Sequence, residues 1–288
     1  MAPNVRFAGS EHAVNLPYGS AGVKRFDLSG APRRAQYAAK KYGMIGRLNL
    51  HGTGTRTPRA SEILVIPVFI GFDARETVAF SVLAYSINRR ASQPVSITAL
   101  MLSQLQGVMR RDRHPLQSTD FSFSRFLTPY LSRYEGWSIF MDCDMLMLDD
   151  IASVWALRDE RYAAMVVKHD HVPRETVKFL GEPQTKYEKK NWSSVILFNN
   201  ARCRTLTPDY VNTASGLDLH QFKWLENDDL IGALPDRWNH LVGYNAPRPD
   251  AALVHYTLGG PYFDAFASGE YADEWRRARD EMLYVSRK

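Results

Sequence analysis

WSIFMDCDMLMLDD, from Trp137 to Asp150, sets two aspartates one residue apart directly after an apolar run and returns at once to apolar residues. The run reads as a buried strand, and strand ends are where an open α/β sheet presents its ligands. In an extended segment residues i and i+2 point the same way, about 6.6 Å apart along the chain, so Asp142 and Asp144 can face one point. Two uncompensated carboxylates a few Å apart repel by roughly 1–4 kcal/mol at aqueous to surface-like dielectric. A divalent cation between them turns that repulsion into binding. Oxygen donors suit magnesium or manganese, completed by water and substrate phosphate. The plain alternative is a pair that caps the helix beginning at Ile151, or that solvates a loop.

The flanking segments alternate strand and helix. ILVIPVFIGF from Ile63 reads as a strand, ARETVAFSVLAYSINRR as a helix, PVSITALML from Pro94 as a second strand and FSRFLTPYLS as a short helix before WSIF. After the aspartates, IASVWALRD reads as a short helix, YAAMVVKHD and WSSVILFN as strands, LHQFKWLENDDLIGAL as a helix and AALVHYTLGG as a strand running into glycines. This order predicts one α/β domain over residues 62–288, a mostly parallel, Rossmann-like sheet flanked by helices.

With 288 residues, 45% of them hydrophobic and 23% charged, the composition is globular and excludes a disordered or fibrous chain. The longest apolar run, Ile63 to Phe72, is ten residues, about half of what a membrane-spanning helix needs. The first thirty residues hold no signal-peptide core, and the two cysteines, Cys143 and Cys203, give no disulfide framework. A cytoplasmic location is expected. The formal charge of +5 is no nucleic-acid signature once it is divided along the chain. Residues 1–60 carry ten Lys/Arg against two acids, and the remainder 26 against 29. Residues 1–61 therefore read as a basic extension, flexible because it offers too little apolar surface to offset its ordering entropy. A sharper reading is peripheral contact with an anionic inner membrane, through a basic helix over Arg33 to Leu50.

From about Ile66 to Phe263 the chain resembles retaining glycosyltransferases of family eight, the glycogenin and bacterial lipooligosaccharide galactosyltransferase type. Within that family it looks most like the bacterial lipopolysaccharide glycosyltransferase branch. The matching pieces, in order, are FIGFDARE, FSRFLTPYL, FMDCDMLML, WSSVILFN, ENDDLIGALPDRWN and VHYTLGGPYF. The resemblance implies a GT-A fold, a manganese or magnesium ion, and a nucleoside-diphosphate sugar, UDP foremost, as donor. It also implies a hydroxyl acceptor on a glycan, a lipid-linked saccharide or a small molecule, and retention of configuration.

Carried over residue by residue, the resemblance makes Asp142, Asp144 and His255 the metal ligands, with Asp142 also facing donor hydroxyls. It places Arg125 against the donor, Phe72 and Asp73 at the base, and Ser193 and Ser194 at the sugar. Asn227, Asp228 and Asp229 match a helix start beside the reacting sugar, where Asp228 replaces a glutamine; a carboxylate there acts as nucleophile or, preferably, stabilises oxocarbenium charge. The family's late lysine is absent, since this chain reads Gly260-Pro261-Tyr262. The N–H groups of Gly259 and Gly260, or the charge of Lys186, Lys189 or Lys190, are the available substitutes. His169-Asp170-His171 can chelate a second metal as a His-x-His pair at a strand end, although a loop-lining or acceptor-facing role is preferred, and Tyr187, Trp192, Trp224 and Trp238 form either a sugar-stacking rim or core. Two other classes compete: a nucleotidyltransferase or other metal-dependent phosphoryl-transfer enzyme, and a non-catalytic nucleotide- or carbohydrate-binding module.

Overall fold

Ile66–Gly71 forms β1, a β-branched and aromatic run with five of its six residues buried, the pattern of a strand covered on both faces. The computed structural model describes residues 65–113, 117–170, 177–182 and 187–284. The basic extension and the helix expected over 33–50 lie outside them, as do Lys186 and His171. Asp73 caps the turn after β1, and helix α1 (Thr77–Arg90) buries Ala79, Val82, Leu83, Ser86 and Ile87 at helical spacing. Pro94 leads into β2 (Val95–Leu100). A short α2 (Thr128–Leu131) precedes β3 (Trp137–Met141), and β4 (Met145–Met147) precedes α3 (Ile151–Trp155). Then come β5 (Ala164–Val166), β6 (Val195–Asn199), α4 (Pro208–Thr213) and α5 (Gly216–His220). The chain continues through β7 (Ile231–Ala233), β8 (His240–Leu241), β9 (Leu253–His255) and α6 (Ala272–Leu283).

The main sheet has the order β2-β1-β3-β6-β5-β7. β1 is parallel to β2 and β3, and β5 to β7, while β6 runs against both β3 and β5. The expected mostly parallel α/β sheet is therefore present, with one reversed strand. A second, three-stranded sheet has the order β4-β9-β8, its first strand inserted in the chain between β3 and β5 of the main sheet. The chain leaves the large sheet at Met141 and enters the small one at Met145, so Asp142 and Asp144 occupy the bend between the two. Opposite that bend, Met145 pairs with His255 in the β4–β9 ladder.

Two expectations are corrected. LHQFKWLENDDLIGAL is not a helix: α5 stops at His220, Phe222 takes a left-handed φ of 61°, and β7 begins at Ile231. The Asn227 side chain accepts from Asp229 N at 3.0 Å, which favours a tight turn, and Ile231 pairs with Ala164 in the sheet, so tertiary pairing overrides the helical pattern. The sequence reading also left α6 unassigned, although its Trp275 and Ala278 are buried with Val82, Val254 and Tyr256. Among the described residues no helix is long and apolar enough to cross a membrane.

Candidate functional site

The aspartates lie on a bend rather than on the extended strand that their spacing implied, and they converge nonetheless. One carboxylate oxygen of Asp142, one of Asp144 and one imidazole nitrogen of His255 lie within 4.8 Å of one another, and all three residues are buried. Backbone bonds hold the bend on both sides: Asp142 N–H donates to Ser194 O at 3.0 Å and Tyr256 N–H to Asp144 O at 2.9 Å. Capping of α3 falls to Asp150, whose carboxylate accepts from Ala152 N. The plain reading of the pair as a helix cap is thereby removed.

His255 Nδ1 is 2.9 Å from Asn239 Oδ1, and the Asn239 amide nitrogen donates to Asn191 O at 3.2 Å. An amide oxygen only accepts, so Nδ1 carries a proton and Nε2 is turned to Asp144 Oδ1 at 3.5 Å. Arg125 Nη1 lies 2.7 Å from Asp142 Oδ1. That contact is an ion pair without hydrogen-bond geometry, and the same nitrogen donates to Ser193 O at 2.8 Å. Asp142 Oδ1 and Asp144 Oδ1 are thus buried without a hydrogen-bond donor among the described residues. Buried polar atoms are nearly always satisfied. Two orphaned carboxylate oxygens beside an imidazole nitrogen fit a divalent ion, manganese better than magnesium. Burial raises the Asp142 pKa and the Asp144 charge adds to it, against Arg125. Burial is the largest influence on Asp144 and acts in the same direction, but His255, Lys178 and a backbone N–H together outweigh it and hold that carboxyl below its ordinary range.

Asp142, Asp144 and His255 line a cavity of about 550 Å³, ample for a small-molecule site. Of the other predicted residues, Arg125, Ser193, Ser194 and Lys190 line it too, as does Tyr187. Sequence reasoning gave no role to Asn239, or to three further wall residues, Arg111, Lys178 and His220. Ser193 Oγ is 2.7 Å from His220 Nδ1, an arrangement like a nucleophile and its base. Burial and the charges of Arg125, Lys190 and Arg111 push the His220 pKa well below its ordinary value. The imidazole therefore stays neutral and orients the Ser193 hydroxyl instead of taking its proton. Burial, Lys178 and Arg125 together lower Lys190 to about 7.

Other predicted residues stand apart from the cavity. Asn227, Asp228 and Asp229 are exposed, and Lys189 Nζ pairs with Asp228 Oδ1 at 2.6 Å. Asp73 is buried, with its carboxylate taken up by Arg75 and by Asp120 N, while Phe72 packs edge-on against Phe80. Gly259, at φ 143°, donates its N–H to Tyr256 O, and a Cβ on Gly260 would come within 2.2 Å of the Tyr262 ring. These two glycines shape the turn and do not line the cavity. Tyr262 itself turns inward, donating to the buried Glu76 at 2.6 Å. Trp224 and Trp238 belong to the core, whereas Trp192 is half-buried and donates to His169 O at 2.9 Å.

Similarity to solved structures gives the fold its type. The bifunctional glycosyltransferase WbbM matches with a TM-score of 0.56 at 16% identity, over 78% of this chain and 51% of that one. Glycosyltransferase GlyE of Streptococcus pneumoniae TIGR4 matches with 0.51 at 16% identity, over 77% and 61%. An active-site mutant of LgtC matches with 0.50 at 11% identity, over 77% and 98%. The chain spans about half of WbbM and about three fifths of GlyE. The fold is of GT-A type. No protein-family model matches the chain. General stress protein A of Bacillus subtilis (strain 168) is 26% identical over 183 residues, 54% of this chain and 64% of that protein. Protein CDI of Arabidopsis thaliana is 46% identical over 238 residues, 80% of this chain and 92% of that protein. An identity of 46% sustained over 92% of Protein CDI places the chain in the family of that protein.

Proposed function

We propose that the protein is a metal-dependent glycosyltransferase that moves a hexose from a nucleoside-diphosphate sugar, UDP-linked foremost, to an acceptor hydroxyl with retention of configuration. The observation that carries this reading is the meeting of Asp142, Asp144 and His255 at the wall of a cavity that also presents Arg125 and Lys190. A manganese ion held by those three residues would supply Lewis-acid stabilisation of the departing diphosphate. Asn239 directs His255 Nε2 at Asp144. Arg125 balances the Asp142 charge from a buried position against the rings of Phe121 and Phe140. Lys190 brings the charge that the late histidine motif lacks, and the Ser193 hydroxyl, fixed by His220, offers an oxygen to a sugar hydroxyl.

His220 is too weakly basic to deprotonate an acceptor, which fits same-face transfer, in which the acceptor proton passes to the departing phosphate oxygen. The role that the resemblance gives Asp228, stabilising charge on the sugar, requires its pair with Lys189 to open. The test is release of UDP from a panel of UDP-sugars with and without manganese. Metal-dependent release that vanishes in Asp142→Asn and Asp144→Asn supports the reading. Pyrophosphate release would favour a nucleotidyltransferase, and tight binding without turnover a binding module.

A further inference from the structure

Four cationic side chains, Arg111, Arg125, Lys178 and Lys190, line the cavity that holds the two aspartates. Arg125 faces Asp142. Arg111 has no such partner. Its Nη1 donates to two neutral carbonyls, Val211 O at 2.8 Å and Ala214 O at 3.1 Å, and its guanidinium lies 3.8 Å from the centre of the Phe123 ring. Among the described residues no carboxylate reaches it, and burial alone lowers its pKa. A half-buried guanidinium facing a cavity with only neutral partners keeps its capacity for a planar anion, because it remains charged and its donors are fixed in one fork.

Its place in the wall says which end of a ligand it meets. Contacts run along the wall from Asp142 through Arg125, Ser193, His220 and Phe123 to Arg111, and Arg111 pairs with neither Asp142 nor Asp144. Beside it, Gly216 lines the cavity so close to Phe123 that a Cβ there would come within 3.1 Å of the ring. A diphosphate held at Asp142, Asp144 and Lys190 leaves the Arg111 end to the sugar and the acceptor.

We infer that Arg111 reads a second negative charge, a carboxylate or phosphate borne by the transferred sugar or by the acceptor, at the end of the cavity remote from Asp142 and Asp144. This rests on the nucleotide-sugar reading above and names the substrate class of the same site.

The test is calorimetric binding to the full chain with manganese, in two arms. The donor arm compares UDP-glucuronate and UDP-galacturonate with UDP-glucose and UDP-galactose. The acceptor arm compares glucose 6-phosphate and glucuronate with glucose in the presence of UDP. The expected result is a preference of roughly tenfold or more for the charged member in one arm, abolished by Arg111→Gln and partly restored by Arg111→Lys, with the affinity for UDP alone unchanged. The arm that shows the preference identifies the carrier of the charge. Charged and neutral members bound within about twofold of each other in both arms, or a preference that survives Arg111→Gln, would overturn the inference. Failure of UDP itself to bind with manganese would instead overturn the nucleotide-sugar reading on which it rests.

Discussion

The buried His255 donates its Nδ1–H to Asn239 Oδ1 across 2.9 Å, so the nitrogen offered to a ligand is selected by a residue outside the ligand set. Replacing Asn239 with leucine removes the acceptor and leaves the ring free to turn or to change tautomer. Such outer partners typically account for about 10–100-fold in metal affinity. Asn239→Leu is therefore expected to weaken manganese binding on that scale in a calorimetric titration, with Asn239→Asp retaining most of it. An unchanged affinity in Asn239→Leu would show that the ring needs no such orientation.

Lys190 gives a pH dependence with a defined sign. Burial, Lys178 and Arg125 bring it to about 7, and only the protonated amine attracts a diphosphate. UDP affinity should therefore fall as pH rises through about 7, by up to roughly tenfold per pH unit. Lys190→Arg and Lys190→Met should both lack this fall from pH 6 to 9, Lys190→Met binding weakly throughout and reporting the nucleotide's own ionisation.

Glu76 makes a second such prediction, this time for stability. It is fully buried, burial first and the Asp144 charge second raise its pKa to about 8, and Tyr262 donates to it. Below the ordinary carboxyl value both folded and unfolded states hold the proton. Between there and about 8 only the folded state does, so this contribution is complete at low pH and is lost as pH rises. Glu76→Gln, which keeps an acceptor for Tyr262, should gain stability over the parent from pH 5 to pH 8. The gain should reach on the order of 3 kcal/mol in denaturant unfolding with chelator present. Parallel curves at the two pH values would contradict a protonated Glu76.

Gly71 ends β1 where a Cβ would come within 2.3 Å of the Phe121 ring, and Phe121 lines the cavity under Arg125. Gly71→Ala must displace that buried ring. A cost of about 1–3 kcal/mol is expected, read as a fall in melting temperature of about 2–4 °C per kcal/mol, with weaker binding of UDP. An alanine variant as stable as the parent would mean that the ring has room to move.

Strands β1, β2, β3, β5, β6 and β9 and the aspartate pair were legible because their signals are local: an apolar run and a spacing of two. His255 was legible only through its place in the VHYT motif, since a lone histidine on a strand carries no such message. Asn239 was not legible, because its contact with His255 exists only once β8 has paired with β9. Arg111 and Lys178 lie in segments without periodicity and reach the cavity through tertiary contacts. The stretch after His220 misled because its apolar residues repeat at helical spacing, while the Asn227 turn and the β5–β7 pairing decide its structure. Asp228 and Asp229 match by order in the sequence, yet Asp228 is held in an exposed pair with Lys189.

The most direct measurement of the central claim is a manganese titration followed by electron paramagnetic resonance, with the couplings of the bound ion resolved. The account predicts one slowly tumbling manganese per chain, coupled to a single imidazole nitrogen, with that coupling absent in His255→Ala and binding greatly weakened in Asp144→Asn. Bound manganese with no imidazole coupling, or binding that is unaltered in Asp144→Asn, would contradict it.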